Sequence, residues 1–393
     1  MTDSLSQRWY RLISSPPARM RQRLLLALLW FLSLLYLLVL KFYRALYRLR
    51  IIRPLEVRSY VIGIGNLTLG GTGKTTLVSL LARYLIGKGA HVAILLRGHG
   101  GKFSGSARLV SDSTGTLMTP TEAGDEAVLL SQEVPGAVVL VGKNRTKSAR
   151  RAETEFHTNV LLLDDSFQYW RLKKDLEILL WDASQPAPLH RLFPRGILRE
   201  PLSHLCRADW IWLTRADQSS QLDLHQDVIR AAFPKAPVLL LAQEPAAAHF
   251  LPSSQPVSLE LLKDKRVLAF AAVGNPHSFE RVVASCGVSL VYSILFPDHY
   301  QYQVPDLHRL FQVASELGVD YILTTPKDEV LLSASLSHPQ VPPAPIPILV
   351  LETKVNLLER DRSLDDIFED IWQRCQQHVS PPASTETTPD VAT

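Results

Sequence analysis

The chain has little cysteine: Cys206, Cys286 and Cys375 lie far apart in 393 residues, with no C-x-x-C pair and no histidine cluster beside them. That excludes a disulfide framework and a cysteine-based zinc site, and it fits a reducing cytosol in which isolated cysteines act as small apolar residues. Acidic residues are almost missing from one end. Residues 1–53 carry ten Lys and Arg against the single acid Asp3, a charge of +9, whereas residues 54–393 carry 32 basic and 37 acidic side chains, a charge of −5, leaving +4 for the whole chain. A nucleic-acid surface would place its basic excess on the globular part, so this asymmetry speaks against nucleic acid and for a membrane. No internal repeat of fixed period is visible.

What the basic end does contain is a long apolar run. Residues 24–40, LLLALLWFLSLLYLLVL, are interrupted only by Ser33 and flanked by Arg19, Arg21 and Arg23 before and Lys41, Arg44, Arg48 and Arg50 after. Seventeen residues sit at the short limit for a spanning helix, with Trp9, Phe42, Tyr43 and Tyr47 available as interfacial anchors. No small-residue cleavage site follows, which argues against a removed signal peptide. Positive charge on both flanks leaves spanning and in-plane placements both open.

The stretch around which the rest is organised is Gly65-Asn66-Leu67-Thr68-Leu69-Gly70-Gly71-Thr72-Gly73-Lys74-Thr75-Thr76. It follows the apolar run 60–64 and precedes Leu77, Val78, Leu80, Leu81, Tyr84 and Leu85 at helical spacing, so the order is strand, loop, helix. Backbone N–H groups at such a helix start cradle phosphate; Thr68, Leu69, Gly70, Gly71, Thr72, Gly73, Lys74, Thr75 and Thr76 are the nucleotide candidates. Lys74 supplies a cation to the β and γ phosphates of ATP, and the Thr75 hydroxyl a ligand to Mg2+. The usual pattern G-x-x-x-x-G-K-[ST] has glycine where this chain has Thr68, so a different or strained turn is expected there.

A second apolar run, 160–163, ends in Asp164 and Asp165, a Walker B pattern that places two further metal candidates at the carboxyl end of a strand. Three polar clusters flank other strand ends: Arg97-Gly98-His99-Gly100-Gly101, Gly124-Asp125-Glu126 and Lys143-Asn144-Arg145. Pro194-Arg195-Gly196-Ile197-Leu198-Arg199-Glu200-Pro201 adds an arginine and a glutamate. Arginines can stabilise a transferring phosphoryl group and an aspartate can accept the proton of an attacking hydroxyl, although each cluster alone reads equally as a solvated turn.

Short β-rich runs alternating with helical stretches give an α/β fold: a P-loop NTPase-like unit followed by a smaller α/β unit, with an N-terminal membrane helix. The expected division is a membrane-anchor segment 1–53, a P-loop kinase unit 54–244, a Pro- and Ala-rich connector 245–265, a second unit 266–376 and a disordered Ser/Thr/Pro-rich tail 377–393. The last helix is marked by Ser363 and Asp366, which resemble a capping box.

Taken in order, GNLTLGGTGKT, RGHGG, GDE, KNR, DDSFQ, RGILREP, AAVGNPHSF, FPDHYQY and TTPKD resemble the motif series of the tetraacyldisaccharide 4′-kinase family. The resemblance implies ATP-dependent phosphorylation of the 4′-hydroxyl of a tetraacylated glucosamine disaccharide 1-phosphate, giving lipid IVA of lipid A biosynthesis. The setting it implies is the cytosolic face of the inner membrane, with a lipid-linked substrate and neither nucleic acid nor an obligatory protein partner. It also implies Asp125 as general base with His299 as its partner, Glu126 at the metal or its water, and Arg145 and Arg199 at phosphate or substrate. The missing first glycine is shared with that family. Thr76, His99, Ser166 and Tyr169 depart from its commoner proline, tyrosine, glycine and histidine. The competing reading is a membrane-anchored P-loop ATPase or GTPase acting as a switch or chaperone; the adjoining Lys327 and Asp328 of TTPKD do not match a guanine-reading motif, so adenine is preferred.

Overall fold

The computed structural model describes residues 5–14, 19–98, 101, 105, 107–112, 115–186, 190–298, 300–336, 339–359 and 361–379. Two helices, α1 (Leu5–Ser14) and α2 (Met20–Arg48), precede the body. The first half follows as β1 (Tyr60–Asn66), α3 (Lys74–Gly87), β2 (Val92–Leu96), β3 (Arg108–Asp112), β4 (Gly115–Thr116), α4 (Pro120–Ala123), α5 (Asp125–Glu133), β5 (Val138–Val141), α6 (Arg145–Phe156), β6 (Val160–Asp164), β7 (Leu176–Asp182), β8 (Trp210–Thr214) and α7 (Leu222–Ala232). The second half holds β9 (Val238–Leu251), β10 (Pro256–Val257), β11 (Arg266–Ala271), α8 (Pro276–Ser285), β12 (Ser289–Leu295), α9 (Val304–Leu317), β13 (Tyr321–Thr324), α10 (Pro326–Leu336), β14 (Ile348–Leu357) and α11 (Leu364–Val379).

These strands form one sheet in the order β12-β11-β13-β14-β9-β8-β7-β1-β6-β2-β5-β3-β4, with β10 paired to β9. β1 lies between β6 and β7, parallel to both, and every residue of β1, β2, β6 and β7 is buried. Strands covered on both faces need continuous apolar runs, and those runs are what the sequence shows. The polar β3–β4 hairpin at the edge has no such run and is not marked by pattern.

Two features depart from the division expected from composition. The Pro- and Ala-rich stretch is not a loose connector: Val238, Leu239 and Leu240 pair parallel with β8, and residues 241–251 pair antiparallel with β14. Pro245 is accommodated because the register shifts opposite it, between Glu352 and Thr353, where a missing N–H costs no ladder bond. Secondly, α11 returns to the first half. Its stripe Ile367, Phe368, Ile371 and Cys375 joins the core formed by β1 and α3, and Glu369 accepts from the Tyr84 hydroxyl at 2.7 Å. This helix includes residues 377–379, while 380–393 lie outside the described residues.

α2 turns one stripe inward at three- and four-residue spacing, with Leu26 and Ser33 buried and Leu29 and Tyr36 half-buried, and leaves Leu24, Leu28, Phe31, Leu35, Leu38 and Phe42 exposed. Among the described residues it is the one helix long and apolar enough to cross a membrane, with a mean hydropathy of 2.4. The stripe docks on residues 190–199: the Ser33 hydroxyl donates to Leu192 O at 2.9 Å, Trp9 of α1 donates to Pro194 O at 2.8 Å, and Ile13 packs with Ile197.

Candidate active site

The phosphate loop leaves β1 and closes on the start of α3 at Lys74, so its backbone amides sit at a helix N-terminus. Thr68 is not strained. It is buried and forms an antiparallel bridge with Leu198, flanked by Leu69 N to Ile197 O at 2.8 Å and Arg199 N to Leu67 O at 2.7 Å. An extended bridge residue needs no glycine; the left-handed turns fall instead at Gly70 (φ 108°) and Gly73 (φ 83°), where glycine is present. The expectation of an altered turn therefore resolves into a strand-like lead-in held by the 197–199 segment.

That segment also delivers a side chain. Arg199 donates to both carboxylate oxygens of Asp165, at 2.6 and 3.1 Å, and to Asn66 Oδ1 at 3.1 Å, while Lys74 Nζ stands 3.7 Å from Asp165. Burial works to raise the Asp165 carboxyl, but the Arg199 hydrogen bond and the charges of Lys74, Arg199 and Arg145 outweigh it and hold it well below the usual carboxylate range. Asp165 is thus a clamp on two cations rather than an open metal ligand. Asp164 differs: buried at the end of β6, its carboxyl is pushed up to about 7 by burial and by Glu126, with Lys74 opposing and Asp165 adding. Arg145 is buried behind this pair, donating to the Asp165 carbonyl at 3.1 Å with its guanidinium over the Tyr169 ring. Tyr169 keeps a polar role, accepting from Thr146 N at 3.2 Å.

Across the cleft, α5 starts with Asp125 and Glu126, and α10 packs against it. Lys327 Nζ lies 2.8 Å from Asp298, 3.5 Å from Asp125 and 3.8 Å from Glu126. Burial alone would lower the Lys327 ammonium, but the charges of Asp298, Asp125 and Glu126 hold it above the ordinary lysine range. His299, the expected partner of Asp125, lies outside the described residues, as do His99 and Gly100; its neighbour Asp298 is in this cluster. The halves also touch at backbone level: a Cβ on Gly274 would come within 2.5 Å of Gly71 N. Arg215 ties the same loop down, donating to Gly71 O at 2.8 Å and to Asp182 at 2.7 Å, and Asn275 of the second half donates to Asp182 at 3.0 Å.

Between the halves is a cavity of about 470 Å³ lined by Lys74, Thr75, Glu126, Asp298 and Lys327 and by apolar Leu80 and Leu129 among others. It combines the phosphate loop with an apolar wall, the arrangement a nucleotide needs. Among the described residues no three His, Cys, Asp or Glu side chains group as a self-sufficient metal site. The oxygen donors Thr75, Glu126 and Asp164 nonetheless fit a Mg2+ carried in by phosphate, because that ion takes few protein ligands, and the buried acid Asp164 is one a cation would relieve.

The structure therefore brings together Lys74, Thr75, Asp164, Asp165 and Arg199 on one side and Asp125 and Glu126 at the cleft, with Arg145 behind rather than open to the cavity. Sequence reasoning overlooked Lys327, Asp298, Arg215 and Asn66. Lys327 stood in a quoted motif, but nothing local shows that it points at Asp125 and Glu126, which lie 202 and 201 positions earlier.

Comparison with known proteins agrees with the motif series. The profile of a family described as tetraacyldisaccharide-1-P 4′-kinase matches residues 25–373. A tetraacyldisaccharide 4′-kinase of Halothermothrix orenii is 34% identical over 85% of this chain and 90% of its own length, and one of Geobacter metallireducens 36% over 81% and 92%. Among solved structures, the "apo" form of LpxK from Aquifex aeolicus in complex with ATP superposes with a TM-score of 0.68 at 29% identity, covering 91% of this chain and all of that one.

Proposed function

The chain belongs to the tetraacyldisaccharide-1-P 4′-kinase family, and from that premise we propose how its residues transfer the γ-phosphate of ATP to the 4′-hydroxyl of a tetraacylated glucosamine disaccharide 1-phosphate, giving lipid IVA. The loop amides of residues 70–75 and Lys74 bind the β and γ phosphates. Asp165 fixes Lys74 and Arg199 in a single array, so that two cations face the charge that builds on the transferring group. Arg145 acts from behind by holding the Asp165 backbone. Thr75, Asp164 and Glu126 would hold Mg2+, which when bound would supply charge that neutralises the phosphates.

A sugar hydroxyl scarcely ionises at neutral pH, so a positioned base must take its proton as attack proceeds. Asp125 has that role, with His299 orienting it; the presence of Asp298 in the Asp125–Lys327 cluster supports bringing that loop to the base. The lipid approaches along α2. Ser33 and Tyr36, near the middle of the apolar run, bond to residues 192–199 of the globular part, which supports an in-plane placement of α2, its exposed apolar face toward the inner membrane and the site toward the cytosol. The observation that carries the reading is that one segment, 192–199, touches the membrane helix, the phosphate loop and the Walker B acid together.

The test is transfer of label. Detergent-solubilised protein with γ-labelled ATP, Mg2+ and the disaccharide 1-phosphate acceptor should give labelled lipid, and Lys74→Ala and Asp125→Ala should abolish it. ATP hydrolysis with unlabelled lipid would favour the switch ATPase instead.

A further inference from the structure

Lys327 is in an unfavourable place for a lysine. It occupies the first turn of α10, where the helix dipole repels a cation, and its stem is buried. Its position is nevertheless fixed. The next residue, Asp328, is fully buried and accepts from Ala272 N at 2.9 Å, the Tyr302 hydroxyl at 2.7 Å and the Thr325 hydroxyl at 2.6 Å, which locks the start of α10 onto the sheet. A lysine at this end of a helix needs compensating charge, and three carboxylates supply it: Asp298 from its own half, Asp125 and Glu126 from the other.

We propose that Lys327 is a positioning residue that holds the Asp125–Glu126 pair against the second half and stands in for cationic charge beside Glu126, so that a divalent cation reaches Glu126 only as Lys327 yields it. The inference rests on the reading of Asp125 as base and Glu126 as metal ligand. Two adjacent carboxylates repel each other, and a lysine that spans both offsets that repulsion and keeps the base oriented before nucleotide arrives. The same lysine competes with the metal, which couples metal binding to the contact between the halves.

The experiment is Mn2+ binding followed by electron paramagnetic resonance on the full chain in detergent, with a non-hydrolysable ATP analogue bound. Lys327→Met should bind Mn2+ more tightly, on the order of tenfold from removal of one nearby positive charge, yet turn over at least about tenfold more slowly, with the loss in kcat rather than in KM for ATP. Lys327→Arg, which keeps the charge, should return Mn2+ affinity toward wild type and recover part of the turnover. Unchanged or weaker Mn2+ binding in a Lys327→Met protein that unfolds at the wild-type temperature overturns the proposal. In the wild-type protein with the ATP analogue bound, acylation of Lys327 by a small anhydride, read by mass spectrometry, should rise when Mg2+ is added; no rise also overturns it. If Asp125→Asn keeps its turnover while Lys327→Met still tightens Mn2+, the base assignment fails and the competition stands.

Discussion

The guanidinium of Arg199 grips the carboxylate of Asp165 with two hydrogen bonds, of 2.6 and 3.1 Å. The carbonyl of the same arginine accepts the hydroxyl of Tyr36 at 2.8 Å, so the long apolar helix α2 holds the backbone of the residue that grips Asp165. Tyr36→Phe removes only that bond. A net hydrogen bond is worth about 1 kcal/mol, so kcat/KM should fall about fivefold while the fold is retained. Arg199→Ala should cost about a hundredfold or more, since it removes a charge aimed at the transferring group. Steady-state transfer of labelled phosphate measures both; equal losses would contradict the assignment of Tyr36 as a support.

Thr68 sits in an extended bridge, so restoring the glycine of the usual loop pattern should harm the protein. Thr68→Gly adds freedom to the unfolded chain and empties a buried position; about 1 kcal/mol of stability should be lost with no gain in ATP affinity. Thermal unfolding and isothermal titration with ATP would show this, and tighter ATP binding would be the contrary result.

Asp164→Asn removes a buried acid whose carboxyl is pushed up to about 7 by burial, Glu126 and Asp165. Ionising that acid in the folded metal-free protein is costly, so at pH 8 without Mg2+ the asparagine variant should be more stable, by an amount on the order of 2 kcal/mol, and melt higher. Mg2+ with ATP should raise the melting temperature of wild type more than that of the variant, and the variant should not transfer phosphate. A lower melting temperature without metal would count against the origin given for the raised carboxyl.

A pair of histidines near the other face sets the acid limit. The His190 imidazole is lowered to about 4 by burial and by the nearby His225, with Asp182 opposing, and burial also lowers His225. A depressed histidine favours folding above its unfolded value and loses that contribution as pH falls. Stability should therefore drop between pH 6.5 and about 4. His190→Phe should flatten that drop by an amount on the order of 2 kcal/mol. Urea unfolding at pH 7 and pH 4.5 decides it.

The phosphate loop, the Walker B acids and the apolar strands were legible in sequence because each is local: a run of contiguous residues whose chemistry and spacing speak for themselves. The strand 238–251 was not, since Pro245 and the alanines read as a connector until the register shift opposite them is seen. The return of α11 to α3 was hidden too, because an apolar stripe tells which face is buried but not against what. Lys327 shows the same limit within the site. Its meaning lies in Asp125 and Glu126, which only the packing of α10 on α5 brings near.

The two halves of this protein share β9: its first three residues belong to the ladder of β8 and the rest to that of β14. The cleft is consequently framed by a leaf spring and not by a pin. Any widening between the phosphate loop and Lys327 would be taken up as twist along this hydrogen-bonded ribbon. A strand continuous through both ladders resists wide swings of one half against the other more than a single flexible residue would.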